Sequence, residues 1–369
     1  MIPERMRAAV VALLVTSACA TANGPLRERA VGTLRDALSA SPPEARVAAV
    51  QAAERLDVEA LFDPVTRLLA DDDERVRAAA AVAVLRGHPD APDVLGQLLF
   101  ARDPAARVIA VAGLGRKVGA HGIEDLRPAL ADPDPSVREA AVVAIAPMAE
   151  PVDVARLAGL AGSDPSGPVR ARAVAALQRH AKDPGAAGAI AAALRDPYLG
   201  VRIAAATGHP AGVTAGASPE WLAATGEAAV ALCAGSPDAS LRASAANAAG
   251  AGQLDVVRKL ARDPDPAVRL AAARALARSG QPAEARELFR RGLGLGDPWL
   301  RLQSAVDLAA LGDPAVLDPF AADPAPPVRM TALAGYPRRG PLPQAWIAAL
   351  DDPEPRVRVL AAELILIRL

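Results

Sequence analysis

Aromatic side chains are nearly missing from this sequence. Three Trp, two Tyr and four Phe make up 2% of its 369 residues, whereas apolar residues make up 52%. An interior built from Ala, Val and Leu has few side chains long enough to span a wide gap, so its backbones must approach closely. Only two cysteines occur, Cys19 and Cys233, which excludes a disulfide framework. Cys233 falls in the apolar run 228–234 and reads as a small buried hydrophobe. Of the four histidines, His88, His121, His180 and His209, no two stand at the spacing of metal ligands, and no metal or other cofactor is expected. Neither a phosphate-cradling Gly-x-x-x-x-Gly-Lys nor a Gly-x-Ser-x-Gly elbow is present. Gly113-x-Gly115 and Gly292-x-Gly294-x-Gly296 read as helix-end glycines with no strand before them, and no catalytic residue is assigned. A net charge of −1 gives no general attraction for nucleic acid or an anionic membrane. The stretch 255–301 is locally basic, ten Lys and Arg against six Asp and Glu, but part of that charge belongs to a repeat.

That repeat is a phrase close to Asp-Pro-x-x-x-Val-Arg-x-x-Ala. Its arginines are Arg46, Arg77, Arg107, Arg138, Arg170, Arg202, Arg242, Arg269, Arg301, Arg329 and Arg358, at intervals of 31, 30, 31, 32, 32, 40, 27, 32, 28 and 29 residues. Three residues after each arginine stands an alanine, with Ser304 the one exception. A period of this size implies stacked supersecondary units, each touching only its neighbours, in one long core.

Each unit reads as two helices. After the arginine, apolar residues fall at +3, +4 and +7, the stripe of a half-buried helix, as in 76–86, 137–145, 169–180 and 268–279. A second helical stretch lies upstream, as in 92–100, 123–130, 152–160, 186–194, 284–292 and 343–350. The Asp-Pro dipeptides, such as Asp103-Pro104, Asp132-Pro133 and Asp297-Pro298, suit helix starts: the carboxylate caps free amides and proline has no amide to leave unpaired. In six units the aspartate precedes the arginine by six residues: Asp132/Arg138, Asp164/Arg170, Asp196/Arg202, Asp263/Arg269, Asp323/Arg329 and Asp352/Arg358.

With this aspartate and arginine the sequence, from residue 42 to 369, resembles the HEAT-repeat family, in the short variety named after phycobilisome lyases. The resemblance implies an all-α fold, a right-handed superhelical solenoid of about eleven stacked hairpins. It also implies that the six Asp and Arg pairs form a hydrogen-bonded ladder between adjacent units. A guanidinium has five donors in a planar fork, so a structural role is the first reading of all eleven arginines. HEAT-like metal-dependent hydroxylases carry His-Glu dipeptides, which this sequence lacks, and HEAT-like DNA glycosylases need a basic face with aromatics. Eleven hairpins at about 10 Å each would make a curved rod on the order of 100 Å long.

The periodicity breaks in three places. Residues 1–23 carry Arg5 and Arg7, an uninterrupted apolar run 8–15 and a small-residue stretch 16–20, the layout of an export signal too short to span a bilayer. Cys19 fits a lipidated cysteine, although Thr16 stands where a lipobox usually has a branched apolar residue. Cleavage after Ala20, or a capping helix of a cytoplasmic array, are the alternative readings. Residues 207–219 form an irregular loop inside the 24–369 solenoid, with Trp221 just beyond it. The carboxyl end, Glu363 to Leu369, is apolar where a solenoid normally presents a polar cap, and needs cover from a partner or from its own hairpin mate.

Residues one and two beyond the arginine (Val108, Ile109, Ile203, Leu270, Leu302, Met330, Leu360, with Arg172, Gln303 and Thr331) suggest a mildly apolar groove for a protein or peptide partner. The expected function is a noncatalytic interaction scaffold of the bacterial cell envelope, with membrane contact only through a lipid on Cys19. A cytoplasmic accessory or lyase-type protein is the alternative.

Overall fold

The computed structural model describes residues 23–39, 42–85, 87–117, 123–207, 230 and 233–369, and every regular element among them is helical. Cys19 and the loop 208–219, with Trp221, lie outside the described residues. Eleven second helices carry the eleven repeat arginines: Pro43–Leu56, Glu74–Val84, Pro104–Lys117, Pro135–Ile145, Gly167–Leu177, Leu199–Thr207, Ala239–Ala248, Pro266–Arg278, Pro298–Ala310, Pro326–Gly335 and Pro355–Arg368, numbered here as units 1 to 11. First helices precede them, among them 23–39, Ala91–Leu98, Pro151–Ser163, Pro184–Ala193 and Pro282–Gly292.

The residue at +3 is buried in all eleven units, from Ala49 to Ala361, with Ser304 equally buried and its hydroxyl donating to the Leu300 carbonyl at 2.7 Å. Small side chains at this position let second helices approach closely, the packing that a core with few aromatics requires. Gly113 and Gly115 serve the same end. They lie inside the helix Pro104–Lys117 rather than at its end, and a Cβ on Gly113 would stand 2.1 Å from Val82 Cγ2. We expect Gly113→Ala to destabilise the fold by about 1–3 kcal/mol through overpacking. Thermal melts beside Gly96→Ala, where a Cβ meets nothing within 4 Å, check this.

The stack does not form an open rod. Each second helix packs on the one before and the one after it, and the circuit closes because Pro355–Arg368 lies against Pro43–Leu56. One continuous core joins residues 30–110 to residues 302–366, with Leu34, Val50, Ile365 and Leu364 all buried in it. Across the seam Arg55 donates to Glu363 in bidentate form, Nε to Oε1 at 2.6 Å and Nη2 to Oε2 at 2.8 Å, and Arg29 pairs with Asp351 at 2.5 Å. The apolar carboxyl end is thus covered by unit 1 of the same chain, and not by its hairpin mate alone. Side-by-side packing of successive first helices is extensive, among the described residues, at Pro151–Ser163 against Pro184–Ala193. The second helices, in contact at every junction though only lightly at units 6 to 7 and 8 to 9, form the inner layer of the ring, and the first helices the outer one.

Helix starts differ from the expected pattern. Asp103 and Asp297 do cap helices that begin at Pro104 and Pro298, accepting from Ala105 N and from Trp299 N, each at 2.8 Å. At Asp132, Asp164, Asp196, Asp263, Asp323 and Asp352 the helix begins about three residues later, and another residue, such as Asp134 or Asp265, is the cap. The aspartate carboxylate instead accepts from the amide two residues on, as Asp132 does from Asp134 N at 2.8 Å. This keeps the turn tight and leaves the carboxylate's outer lone pairs free for another unit.

Candidate functional site

What the Asp-Pro turn frees is taken up across each junction. Arg107 grips Asp132 (2.8 and 2.8 Å), Arg138 grips Asp164 (2.8 and 2.9 Å), Arg170 grips Asp196 (2.8 and 2.8 Å), Arg242 grips Asp263 (2.7 and 2.8 Å) and Arg329 grips Asp352 (2.8 and 2.7 Å), always through Nε and Nη2. The remaining nitrogen, Nη1, turns back to the carbonyl six residues earlier, as Arg138 Nη1 does to Asp132 O at 2.8 Å. Each of the six sequence pairs therefore meets through a backbone carbonyl within its unit, while the carboxylate goes to the preceding unit. Asp323 is the exception: its carboxylate takes the Ala325 amide at 2.8 Å and, among the described residues, no arginine. A sixth rung, Arg46 to Asp71 at 2.8 Å, was not among the sequence pairs, because Asp71 is followed by Asp72 and not by proline. Counting six residues back from Arg77 would have found it.

Burial and charge set the electrostatics of these rungs. Burial pushes the Asp164 carboxyl up, but the Arg138 guanidinium and the Ser166 amide hold it below the usual carboxylate range. Asp196 and Asp263 are lowered first by the arginine that grips them, against a smaller burial effect. Asp153, fully buried, forms a similar contact among first helices, accepting from Arg127 Nε at 2.8 Å.

The expected apolar groove is largely consumed by packing. Leu270 and Leu302 are buried and Val108, Ile109, Met330 and Leu360 half-buried, while Arg172 is exposed and pairs with Glu139 at 2.8 Å. The most accessible register of the second helices is instead +9, exposed in every unit whose side chain is described there. At +9 a second arginine recurs: Arg55, Arg116, Arg179, Arg278 and Arg338, all exposed. Arg86 holds the same place in the sequence but lies outside the described residues. Arg55 is held by Glu363, and Arg278 donates to the Asn247 carbonyl at 2.9 Å. Arg116, Arg179 and Arg338 have no side-chain partner among the described residues. Cations at helix carboxyl ends oppose the helix dipole, which accounts for the position. They share one register, so they recur at or just past the carboxyl ends of their second helices. A count of cations at a second fixed register, nine residues on, would have found this feature in the sequence.

Deeper on the inner face, Arg274 bridges to Asp307 at 2.8 Å and to Gln303 at 3.1 Å, and burial there pushes the Asp307 carboxyl up. Cys233 is half-buried, with burial raising its thiol. Among the described residues no group of three His, Cys, Asp or Glu is placed to hold a metal ion, and no helix is long and apolar enough to cross a membrane.

No curated protein matches the sequence. Among solved structures the chain is similar to the complex of CpcE and CpcF of phycocyanin lyase from Nostoc (22% identity, 77% of this chain and 97% of that one, TM-score 0.32). It is also similar to the YibA protein of E. coli (17%, 74% and 91%, TM-score 0.30) and to human deoxyhypusine hydroxylase (21%, 70% and 98%, TM-score 0.27). The HEAT repeats family matches at residues 91–178, 226–291 and 254–336, together more than half of the sequence. With eleven second helices in register and that match, the chain belongs to the HEAT repeats family.

Proposed function

We propose that this chain is a noncatalytic protein-interaction scaffold whose contact surface is the inner rim of the ring. The observation that supports this most is the row of exposed arginines at +9, of which Arg116, Arg179 and Arg338 have no partner among the described residues. Buried carboxylates that would suit acid and base chemistry, Asp153, Asp164 and Asp263, are each bound by an arginine, so their charge serves structure. Repeat surfaces of this kind bind by area and by complementary charge instead of through an enclosed pocket. The cell envelope is the proposed site of action, with Cys19 the lipid attachment point after removal of the first 18 residues.

Two measurements test this reading. The triple variant Arg116→Glu, Arg179→Glu and Arg338→Glu is expected to keep the wild-type melting temperature and to lose the proteins that wild type crosslinks in its native host. Retention of all of them would rule out the rim. The intact mass of protein purified from that host is expected to lack 18 residues and to carry a diacylglyceryl addition, and an intact amino terminus would place the protein elsewhere.

A further inference from the structure

Where the residue six before a repeat arginine is not aspartate, the rung is missing. Ala101, Ser236 and Leu295 hold that position ahead of Arg107, Arg242 and Arg301. The backbone there keeps its place. Leu295 O accepts from Arg301 Nη1 at 2.8 Å, as Asp132 O does from Arg138 Nη1 at 2.8 Å. On the other side of the junction Arg269 is anchored like its counterparts, Nη1 to Asp263 O and to Pro264 O at 2.8 Å each, and its Nε and Nη2 have no acceptor among the described residues. Between Arg269 and Leu295 lies a cleft of about 260 Å³, lined also by Arg262, Arg291 and Leu288. No carboxylate lines it. The nearest acidic partner of a lining cation is Glu287, which pairs with Arg291 at 3.1 Å in an exposed contact.

At Arg202 and Arg301 the fork is likewise without a carboxylate among the described residues, and two further incomplete junctions differ. Beside Arg77 stand Glu74 at 3.9 Å and the Glu44, Asp73 and Asp103 cluster around Arg75. The cleft at the ring seam, which holds Arg358, is lined by Asp36. At the junction of units 8 and 9 an unfilled fork faces a cleft lined by cations and apolar groups, with no carboxylate among its lining residues.

We propose that the cleft between Arg269 and Leu295 is a carboxylate socket that takes an aspartate or glutamate side chain of a partner protein, in the place that each completed rung gives to its own aspartate. Five complete bidentate rungs show what this fork binds and at what distance, 2.7–2.9 Å. Arg262 and Arg291 raise the potential at the cleft, so an acidic segment is drawn toward it. The apolar walls, Leu270, Leu288 and Leu295, accommodate the methylene of the incoming side chain. The proposal rests on the scaffold reading and gives it a specific point of contact.

The test uses the full chain and a fluorescein-labelled tetra-aspartate peptide, followed by anisotropy, with the tetra-asparagine peptide and inorganic phosphate beside it. Leu295→Asp supplies the missing carboxylate from within. It is expected to raise the melting temperature and to weaken peptide binding about tenfold or more, in line with loss of a charge-assisted hydrogen-bonded pair. Because this variant is expected to be the more stable protein, lost binding cannot be ascribed to misfolding. Arg269→Gln should weaken binding to a similar extent. The idea fails if the aspartate peptide does not bind, if the asparagine peptide binds as well, if Leu295→Asp binds the aspartate peptide as wild type does, or if inorganic phosphate displaces it as effectively as unlabelled tetra-aspartate. If Leu295→Asp still crosslinks every native partner, the socket is ruled out while the scaffold stands.

Discussion

Ile365→Glu is expected to open the ring and to destabilise the protein by about 4 kcal/mol or more, among the largest losses a single substitution gives. Ile365 is completely buried in the core shared by units 11 and 1, where a carboxylate would find no partner and would lose its hydration. Ile367, two residues on, is 44% exposed, so Ile367→Glu is expected to stay within about 0.5 kcal/mol of wild type. The contrast is best read by thermal melts together with small-angle scattering. An opened ring has a larger radius of gyration at unchanged mass, whereas loss of a docking partner would change the mass. Equal stability of the two variants would mean that the terminal units do not support one another.

Arg138→Ala is expected to cost about 3–5 kcal/mol, because it strands the buried Asp164 carboxylate without its counter-charge. Arg138→Lys should recover only part of this, since an ammonium keeps the charge but not the fork that meets both carboxylate oxygens. Arg202→Ala is the control. Arg202 has the same backbone anchor, 2.7 Å to Asp196 O, and no carboxylate at its outer nitrogens among the described residues. The same rungs set the acid response. Asp164, Asp196 and Asp263 have folded-state pKa values below that of an unfolded aspartate, about 3.9, so their contribution is complete above that value. It is lost as pH falls from there through the lower folded values. Wild type should therefore keep a level melting temperature near neutrality and lose stability steeply below about pH 4. The loss should be shallower in Asp164→Asn, measured by the same melts across pH.

The units themselves were legible in the sequence, because each is specified locally. The arginine, the alanine three residues on and the Asp-Pro turn fix a hairpin and its register without reference to anything distant, and the eleven second helices fall where that register puts them. The start of each helix was less legible. Asp-Pro serves as a cap at Asp103 and Asp297 but as a turn and a rung at Asp132 or Asp352, and the difference is only two residues of offset from the arginine. Closure was not legible at all. It depends on curvature summed over eleven junctions, and no single repeat encodes that sum. Its trace in the sequence was the apolar run from Leu364 to Ile367, which asked for cover without saying whose. The arginines at +9 were not legible for a related reason: each is an ordinary cation at a helix end, and only the shared register relates Arg116, Arg179 and Arg338.

An open solenoid can gain or lose a hairpin at either end by duplication or deletion, and each of its neighbours still meets a familiar surface. Here Pro43–Leu56 already occupies the face that a twelfth unit would need, and Glu363 is committed to Arg55. Insertion of one more hairpin would demand a change of angle at every other junction, spread over rungs whose distances agree to within 0.2 Å. The unit count is thereby fixed by geometry.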